Sequence, residues 1–233
     1  MDNLRTDISL TAEIKLYYDL FVPQHASGPL PLLIAVHGYG GNKRAMMREA
    51  QNIAPQNFVI AALQGFHQHW RETTAQSSSS NMPKVGFAWL TNYKPEESVA
   101  VHQKVLHDLI DDLIGEKIAD RRNIFLLGFS QACALNFRFA FTRANLLRGV
   151  IGISGGIPSD WQSNVIYQET EAAVFYLYGN EDEFYPLEKL EANARELKTR
   201  ARNFESKSYA AKHEITNEMQ SDLKAWLENN LAR

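Results

Sequence analysis

Cysteine is nearly absent from the 233 residues, since Cys133 is the sole example. One cysteine excludes an intramolecular disulfide and a zinc cluster built from several thiolates. An excess of one charge is absent too, because 24 Lys and Arg residues stand against 27 Asp and Glu residues and the net charge is -3. No block rich in Lys or Arg occurs, so we expect no nucleic-acid partner.

Long apolar stretches are also missing. The first ten residues, MDNLRTDISL, lack the apolar core of a signal peptide. No apolar run approaches the length that a transmembrane helix needs. We therefore expect a cytoplasmic protein without a membrane span, in a reducing compartment. The sequence does not decide between a monomer and a homodimer.

Short apolar runs alternate with longer amphipathic runs along the chain. Strands are predicted at 32–38, 58–65, 123–129, 149–156, 173–179 and 203–210, with one or two antiparallel strands in 8–23. Helices are predicted at 41–54, 96–118, 130–142, 186–201 and 214–233. Apolar strands separated by helices favour a mostly parallel sheet with helices on both faces. With no linker and no repeat, residues 1–233 are predicted to form a single α/β domain.

Ser130 follows an apolar strand directly and begins a predicted helix, in the pattern GFSQA. This GxSxA pattern resembles a nucleophile elbow, in which a strained turn projects the serine hydroxyl from the sheet edge. Ala132 stands where glycine is usual, and a single extra methyl is a tolerable steric load. The other interpretation is that Ser130 only caps the helix, which is a common role for serine.

An acid and a histidine follow Ser130, in the chain order that accompanies a nucleophile elbow on an α/β sheet. The stretch NEDEFYP after the strand at 173–179 offers Asp182 and its glutamate neighbours, which otherwise form a solvated acidic loop. His213 lies between the last strand and the last helix. It is the one histidine that follows both the serine and the acid, and it is suited to shuttle a proton.

The stretch HGYGG at 37–41 has three glycines that let its backbone approach a ligand closely. We interpret Tyr39 N–H and Gln131 N–H as donors to an oxyanion. A plain turn or a phosphate-binding loop is the competing interpretation, but the GxxxxGK[ST] pattern of nucleotide-binding loops is absent.

The polar stretch between the strand at 58–65 and the long helix carries four aromatic residues that are candidates for an acyl pocket or for anchoring the loop: Phe66, Trp70, Phe87 and Trp89. The pair His67 and His69 has no clear third metal ligand, so no metal site is predicted. His102 and His107 are interpreted as surface residues of a helix.

The motifs LLIAVHGYGGN, GFSQACAL, GNEDEFYP and KHEITNEMQSDLKAWL together resemble the phospholipase/carboxylesterase family of α/β-hydrolases, which includes acyl-protein thioesterases. The resemblance covers nearly the whole chain from Ile8. It implies an α/β-hydrolase fold and a serine hydrolase without a cofactor. The family's D-x-x-x-P motif falls on Asp182 and Pro186, which selects Asp182 as the acid. The family's oxyanion residues fall on Tyr39 and Gln131.

The predicted function is the hydrolysis of a small carboxylic ester or thioester through a Ser130–His213–Asp182 triad and an acyl-enzyme. A peptide hydrolase on the same scaffold is an alternative, although no extra domain is visible that would select peptides. A catalytically inactive α/β-hydrolase that only binds ligands is the other alternative.

Overall fold

A computed structural model describes residues 4–24, 28–71, 84–143 and 145–232. In these residues the strands are β1 Tyr18–Phe21, β2 Leu30–Val36, β3 Val59–Leu63, β4 His67–Trp70, β5 Val85–Ala88, β6 Ala119–Phe129, β7 Gly149–Ile153, β8 Ala173–Gly179 and β9 Phe204–Tyr209. The helices are α1 Lys43–Ile53, α2 Pro95–Gly115, α3 Gln131–Thr142, α4 Leu187–Lys198 and α5 Asn217–Asn229.

Seven of these strands form one sheet in the order β1-β3-β2-β6-β7-β8-β9. All neighbours pair in parallel except β1, which is antiparallel to β3. The central strands are apolar on both faces because helices cover both, as is usual for parallel sheets. The prediction of a mostly parallel α/β sheet is therefore confirmed.

Two layers of helices cover the sheet. Alternate residues of each strand point to opposite faces, so in β2 Ile34 belongs to the apolar cluster that includes residues of α2, α3 and α4. Its neighbour Leu33 belongs to the opposite cluster, with α1 and α5. The helices thus hold both faces of the sheet and leave the carboxyl ends of the strands accessible.

Side chains before the helices fix where two of them begin. The side chain of Asn42, which directly precedes α1, accepts a hydrogen bond from Ala45 N–H at 2.9 Å. Thr216 accepts one from Met219 N–H at 3.2 Å at the start of α5. Pro186, the predicted first residue of the helix at 186–201, directly precedes α4, which begins one residue later at Leu187.

The stretch predicted as an irregular loop, 66–89, differs most from expectation. Its two ends form an antiparallel two-stranded sheet from β4 and β5, with His67 opposite Ala88 and Trp70 opposite Val85. Residues 72–83, which include the serine run, lie outside the described residues. The polar, aperiodic sequence gave no signal for a hairpin, because its strands are four residues long and pair mainly with each other.

Within the described residues no helix combines the length and the apolar character needed to cross a membrane.

The parallel strands end at one edge of the sheet. The glycine loop, residues 37–41, follows β2, and Ser130 follows β6. Asp182 follows β8 and His213 follows β9. The fold therefore brings the sequence-selected groups to the edge where ligands of open α/β sheets bind.

Candidate active site

Ser130 occupies a strained turn between β6 and α3. Its backbone has φ 54° and ψ −116°, outside the favourable regions for a residue with a side chain. Ser130 N–H donates to Ile153 O at 2.9 Å, which anchors the turn to the end of β7. The side chain of Ser130 makes no capping hydrogen bond to α3. The helix-cap interpretation therefore does not describe this serine.

Close backbone packing maintains that turn. A Cβ atom at Gly128 would lie 2.7 Å from Asn136 Nδ2 and 3.2 Å from the carbonyl carbon of Ala132. A Cβ atom at Gly155 would overlap Ser130 O and Cys133 Sγ. Ala132 itself is fully buried, so its methyl group is accommodated where the family usually has glycine.

Ser130, His213 and Asp182 form a continuous hydrogen-bonded chain. His213 Nε2 lies 2.8 Å from Ser130 Oγ, and His213 Nδ1 lies 2.8 Å from Asp182 Oδ2. An ionised carboxylate only accepts hydrogen bonds, so Nδ1 carries the proton and Nε2 is left to accept the serine proton. This arrangement equips the imidazole to remove a proton from the hydroxyl.

The carboxylate of Asp182 is enclosed, with no exposed side-chain surface. Its Oδ1 accepts hydrogen bonds from Phe184 N–H and Tyr185 N–H, each at 2.9 Å. Burial by itself raises the pKa of Asp182, but the hydrogen bonds from His213, Tyr185 and Phe184 outweigh it and hold the pKa below its usual value. The carboxylate therefore stays ionised and keeps the imidazole in one tautomer.

Neighbouring groups also fix the backbone and ring of His213. The backbone N–H of His213 donates to Glu183 Oε2 at 3.0 Å. Three aromatic rings lie around the imidazole, with centroid distances of 4.9 Å to Phe129, 4.9 Å to Phe184 and 5.9 Å to Tyr185. These contacts leave the imidazole little freedom to rotate away from Ser130.

The two proposed oxyanion donors line the same cavity as Ser130. Gln131 is the first residue of α3, so its N–H has no partner within the helix. Tyr39 lies in the glycine loop and its side chain is largely exposed. In the described part of the chain, neither N–H donates to a protein group. Both donors thus remain available to a ligand.

His37 fastens the start of the glycine loop. It is nearly fully buried, its Nδ1–H donates to Gly38 O at 2.7 Å, and its Nε2 accepts from Gly65 N–H at 2.9 Å. Burial lowers the pKa of His37 to about 4, despite the opposing hydrogen bond to Gly38. The imidazole is therefore neutral at physiological pH and acts here as a fixed connector between β2 and the segment after β3.

The β4–β5 hairpin also binds the glycine loop. Gly40 N–H donates to Phe87 O at 2.8 Å, and Phe87 N–H donates to Gly41 O at 3.3 Å. The ring of His69 stacks on that of Tyr39 at a centroid distance of 4.6 Å, with 11° between the planes. The hairpin therefore supports the loop that carries the Tyr39 N–H.

A cavity of about 1060 Å³ opens beside Ser130. Its walls come from the glycine loop, α3, the connection between β7 and β8, the loop 180–186 that carries Asp182, and α4. Its apolar lining includes Leu90, Phe129, Ala134, Ile157 and Pro158. A smaller cavity of about 280 Å³ lies between the glycine loop, α1 and residues 213–215. The imidazole of His213 borders both cavities.

None of the four aromatic residues predicted as acyl-pocket candidates lines the larger cavity. Trp89 is fully buried, and its indole N–H donates to His37 O at 2.9 Å. Phe66 packs against the core beside Trp89, whereas Trp70 is 63% exposed. Phe87 binds the glycine loop through its backbone. The contacts of Phe66, Phe87 and Trp89 support the anchoring interpretation, and the lining of the cavity gives the acyl-pocket interpretation no support.

The two histidines of the HxH pair have contacts other than with each other. His67 Nε2 lies 2.8 Å from Ser98 Oγ, and His69 stacks on Tyr39. Among the residues that the structure describes, no group of three His, Cys, Asp or Glu side chains is arranged to hold a metal ion.

The prediction that His102 lies on the surface is wrong. Its side chain is fully buried in α2, and its ring meets Trp89 edge to face at 5.4 Å. The prediction rested on the five-residue spacing of His102 and His107, which places them on different faces of the helix but does not show that both faces meet solvent. His107 is indeed exposed and pairs with Asp111. Cys133 is buried, and burial raises the pKa of its thiol to about 12, which disfavours the nucleophilic thiolate at neutral pH.

Comparison with protein families places this geometry in context. The model of the phospholipase/carboxylesterase family matches residues 19–231. The chain belongs to the phospholipase/carboxylesterase family. This confirms the resemblance seen in the motifs, and it supports the prediction that the chain is an enzyme of the carboxylesterase type.

A curated relative, a putative esterase named NocK from Nocardia uniformis subsp. tsuyamanensis, is 24% identical over 163 residues. The match covers 69% of this chain and 42% of the relative. The chain therefore matches less than half the length of that protein, and the likeness alone does not carry its activity across.

Solved structures show the same fold. The Bacillus cereus carboxylesterase superposes with a TM-score of 0.69 at 19% identity, covering 93% of this chain and 95% of that one. SOBER1 from Arabidopsis thaliana gives 0.69 at 20% identity, covering 86% and 98%. Esterase PE8 gives 0.71 at 18% identity, covering 94% and 100%. These matches confirm the α/β-hydrolase fold.

Sequence reasoning missed several residues around the site. His37 was not selected because it precedes the serine, and its connecting role depends on Gly65, which is distant in sequence. The polar residues of α4 that line the cavity were also missed. Their spacing of three and four residues was visible, but nothing in the sequence showed which face of α4 meets the cavity.

Proposed function

We propose that this protein is a serine hydrolase that cleaves carboxylic esters or thioesters of small molecules. The observation that carries the proposal is the 2.8 Å separation of Ser130 Oγ and His213 Nε2, with Asp182 bonded to the other ring nitrogen. The strained turn at Ser130 and membership of the phospholipase/carboxylesterase family support the same chemistry.

In the first half of the reaction, His213 Nε2 accepts the Ser130 hydroxyl proton as Oγ attacks the carbonyl carbon. The carbonyl π electrons move to the oxygen, which accepts hydrogen bonds from Tyr39 N–H and Gln131 N–H. Asp182 stabilises the imidazolium that forms. The tetrahedral intermediate then collapses, the bond to the leaving alcohol or thiol breaks, and His213 donates its proton to that group.

In the second half, water enters and His213 removes one of its protons as the water oxygen attacks the acyl carbon. The same two N–H groups bind the second oxyanion. Collapse of this intermediate breaks the bond to Ser130 Oγ, which recovers its proton from His213. The products are a carboxylic acid and the free enzyme, and the cycle requires no cofactor.

The same evidence weighs against the alternatives. A protein that only binds ligands does not require a serine in a strained turn that is hydrogen-bonded to a histidine. It also has no need of an enclosed aspartate that orients this histidine. The described elements contain no additional domain over the cavity that would select peptides, and all of them belong to or pack around the main sheet and its hairpin. This arrangement supports the prediction of one domain over residues 1–233. A cytoplasmic location remains a prediction from the sequence.

Hydrolysis of p-nitrophenyl esters from acetate to palmitate by the wild type and by Ser130→Ala tests the proposal. We expect Ser130→Ala to fold normally and to lower kcat by roughly 10⁴-fold or more. Labelling with a fluorophosphonate supplies an independent readout, because the wild type should be modified at Ser130 and the variant should not. Ser130→Ala with wild-type esterase activity, or an unlabelled wild type, would contradict the mechanism.

A further inference from the structure

Helix α4 forms one wall of the larger cavity with a polar stripe. The lining residues of this helix are Lys189, Ala192, Asn193 and Glu196. Spacings of three and four residues place them on one face of the helix. Three of the four side chains are polar, whereas the lining residues outside this helix include the apolar Leu90, Phe129 and Ala134. An acyl channel for simple alkyl chains has no need of this stripe.

The stripe extends away from the reacting atoms. Lys189 Nζ lies 5.9 Å from the centre of the Tyr185 ring, and that ring lies 5.9 Å from the ring of His213. Glu196 is seven residues further along the helix, which corresponds to about 10 Å of axial rise. A substrate group that follows the stripe therefore meets polar atoms at increasing distance from the scissile bond.

Two side chains of the stripe have acceptor atoms without protein partners. Asn193 is only 7% exposed, and its Nδ2 lies 3.5 Å from Tyr176 Oη, but its Oδ1 has no partner in the described chain. Glu196 Oε1 accepts from Gln162 Nε2 at 2.9 Å, and its Oε2 has no protein partner there. Covering such acceptors with an alkyl chain removes their water without replacing its hydrogen bonds, which is costly.

The two cavities differ in which side of the ester they can hold. The acyl group stays bonded to Ser130 after the leaving group departs, and the larger cavity is lined by Ser130 and Gln131. The leaving group takes its proton from His213, which also lines the smaller cavity, whereas Ser130 and Gln131 do not. The larger cavity therefore suits the acyl group.

We propose that the polar stripe of α4 selects acyl groups that carry hydroxyl groups along or at the end of the chain. This inference rests on the proposed function, and it names the substrate class of the same site. A hydroxyl donates to Asn193 Oδ1 or to Glu196 Oε2, whereas a methyl group cannot. Lys189 and Glu196 have opposite charges, so the stripe as a whole favours neither an anionic nor a cationic acyl group.

A matched pair of p-nitrophenyl esters tests the proposal: the octanoate and the ω-hydroxyheptanoate. The two acyl chains have equal lengths because the hydroxyl oxygen takes the place of the terminal methyl carbon. We expect kcat/KM for the hydroxylated ester to exceed that for the octanoate by about fivefold or more, the equivalent of one hydrogen bond of about 1 kcal/mol. Glu196→Leu should reduce this ratio to near one. Glu191→Leu, an exposed site on the same helix outside the cavity lining, should leave it unchanged.

Asn193→Leu provides a second variant on the stripe, and circular dichroism establishes that each variant folds. A wild type that prefers the octanoate, or a preference that survives both Glu196→Leu and Asn193→Leu, overturns the inference while leaving a Ser130-dependent esterase intact. Turnover of either ester by Ser130→Ala at the wild-type rate would instead overturn the proposed function. A series that varies only the alcohol should be insensitive to Glu196→Leu, and sensitivity there would reverse the assignment of the two cavities.

Discussion

Gln131 holds Trp89 through its side chain while its backbone N–H remains free to act on a ligand. Gln131 Oε1 accepts a hydrogen bond from the backbone N–H of Trp89 at 2.8 Å, and Gln131 Nε2 donates to Leu90 O at 3.0 Å. The indole of Trp89 in turn donates to His37 O at 2.9 Å. One short segment after β5 therefore ties the start of α3 to the start of the glycine loop, and so links the segments that carry both proposed oxyanion donors.

Replacing Gln131 by Met tests this link, because the backbone N–H is kept and both side-chain hydrogen bonds are lost. We expect kcat to fall about tenfold, which corresponds to about 1.4 kcal/mol of transition-state stabilisation. KM should change little, since the oxyanion exists only in the transition state and the intermediates. Steady-state kinetics on one p-nitrophenyl ester provides both constants.

Gln168→Met is the matched control for this change, since Gln168 is exposed and does not line the cavity. It should leave both constants at the wild-type value. A Gln131→Met enzyme with unchanged kcat would show that the side chain does not set the position of the donors. A rise in KM alone would indicate a contact with the substrate instead.

The three side chains of the proposed triad were predictable from the sequence for a physical reason. In a parallel sheet, residues that directly follow strands meet at one edge. Ser130 and Asp182 follow apolar runs, and His213 follows an alternating run, FESKSY, so all three strands are recognisable from the sequence. The structure joins the three side chains in one hydrogen-bonded chain. The order of serine, acid and histidine supplied the remaining constraint.

The surroundings of the site were not predictable in the same way. The β4–β5 hairpin consists of two four-residue strands, HQHW and VGFA, which are too short to show a clear apolar period. His102 was placed on the surface because it lies five residues from His107 and shares no helix face with it, whereas its side chain packs against Trp89 in the core. The face of α4 that meets the cavity depends on contacts with the β7–β8 connection, which is distant in sequence.

Replacing Asp182 by Asn should remove the acceptor that fixes the tautomer of His213. An amide in this position can donate to Nδ1, which leaves the proton on Nε2 where it blocks proton removal from Ser130. We expect kcat to fall by roughly 10⁴-fold with little change in the fold. Ester hydrolysis and the near-ultraviolet circular dichroism of the variant measure the two effects.

Glu183→Gln is the control for the acid, because Glu183 is exposed and its carboxylate accepts from the backbone N–H of His213, not from the ring. An amide oxygen retains that hydrogen bond, so activity should stay close to that of the wild type. Equal losses in Asp182→Asn and Glu183→Gln would argue against Asp182 as the specific partner of the imidazole.

The elbow should tolerate changes at Ala132 and reject them at Gly128. Ala132→Gly removes one buried methyl and weakens α3, so we expect about 1 kcal/mol less stability and near wild-type kcat. Gly128→Ala places a Cβ atom 2.7 Å from Asn136 Nδ2 and 3.2 Å from backbone of Ala132, which forces the turn to shift. The kcat of Gly128→Ala should therefore fall by much more than the loss of folded protein accounts for.

Urea unfolding and ester kinetics on the same two preparations separate these effects. If Ala132→Gly raised kcat severalfold, the extra methyl group would be a restraint on catalysis and not a neutral substitution. If Gly128→Ala kept wild-type kcat, the turn at Ser130 would be less constrained than the packing indicates.

Burial of His102 gives the fold a specific dependence on pH. Burial lowers the pKa of His102 from 6.5 to about 3, so between these values the unfolded chain binds a proton that the folded protein does not. The contribution of His102 to the free energy of unfolding is therefore fully present above pH 6.5 and decreases as the pH falls. Between pH 7 and pH 5 the loss amounts to about 2 kcal/mol.

His102→Leu should remove this loss, because an apolar side chain fills the site without a proton to bind. We expect the free energy of unfolding in urea to drop by about 2 kcal/mol less between pH 7 and pH 5 in the variant than in the wild type. His107→Leu, at an exposed position of the same helix, should leave the pH dependence nearly unchanged. A His102→Leu protein that loses as much stability as the wild type over this range would show that His102 does not contribute to the acid sensitivity of the fold, and that other buried groups such as His37 account for it.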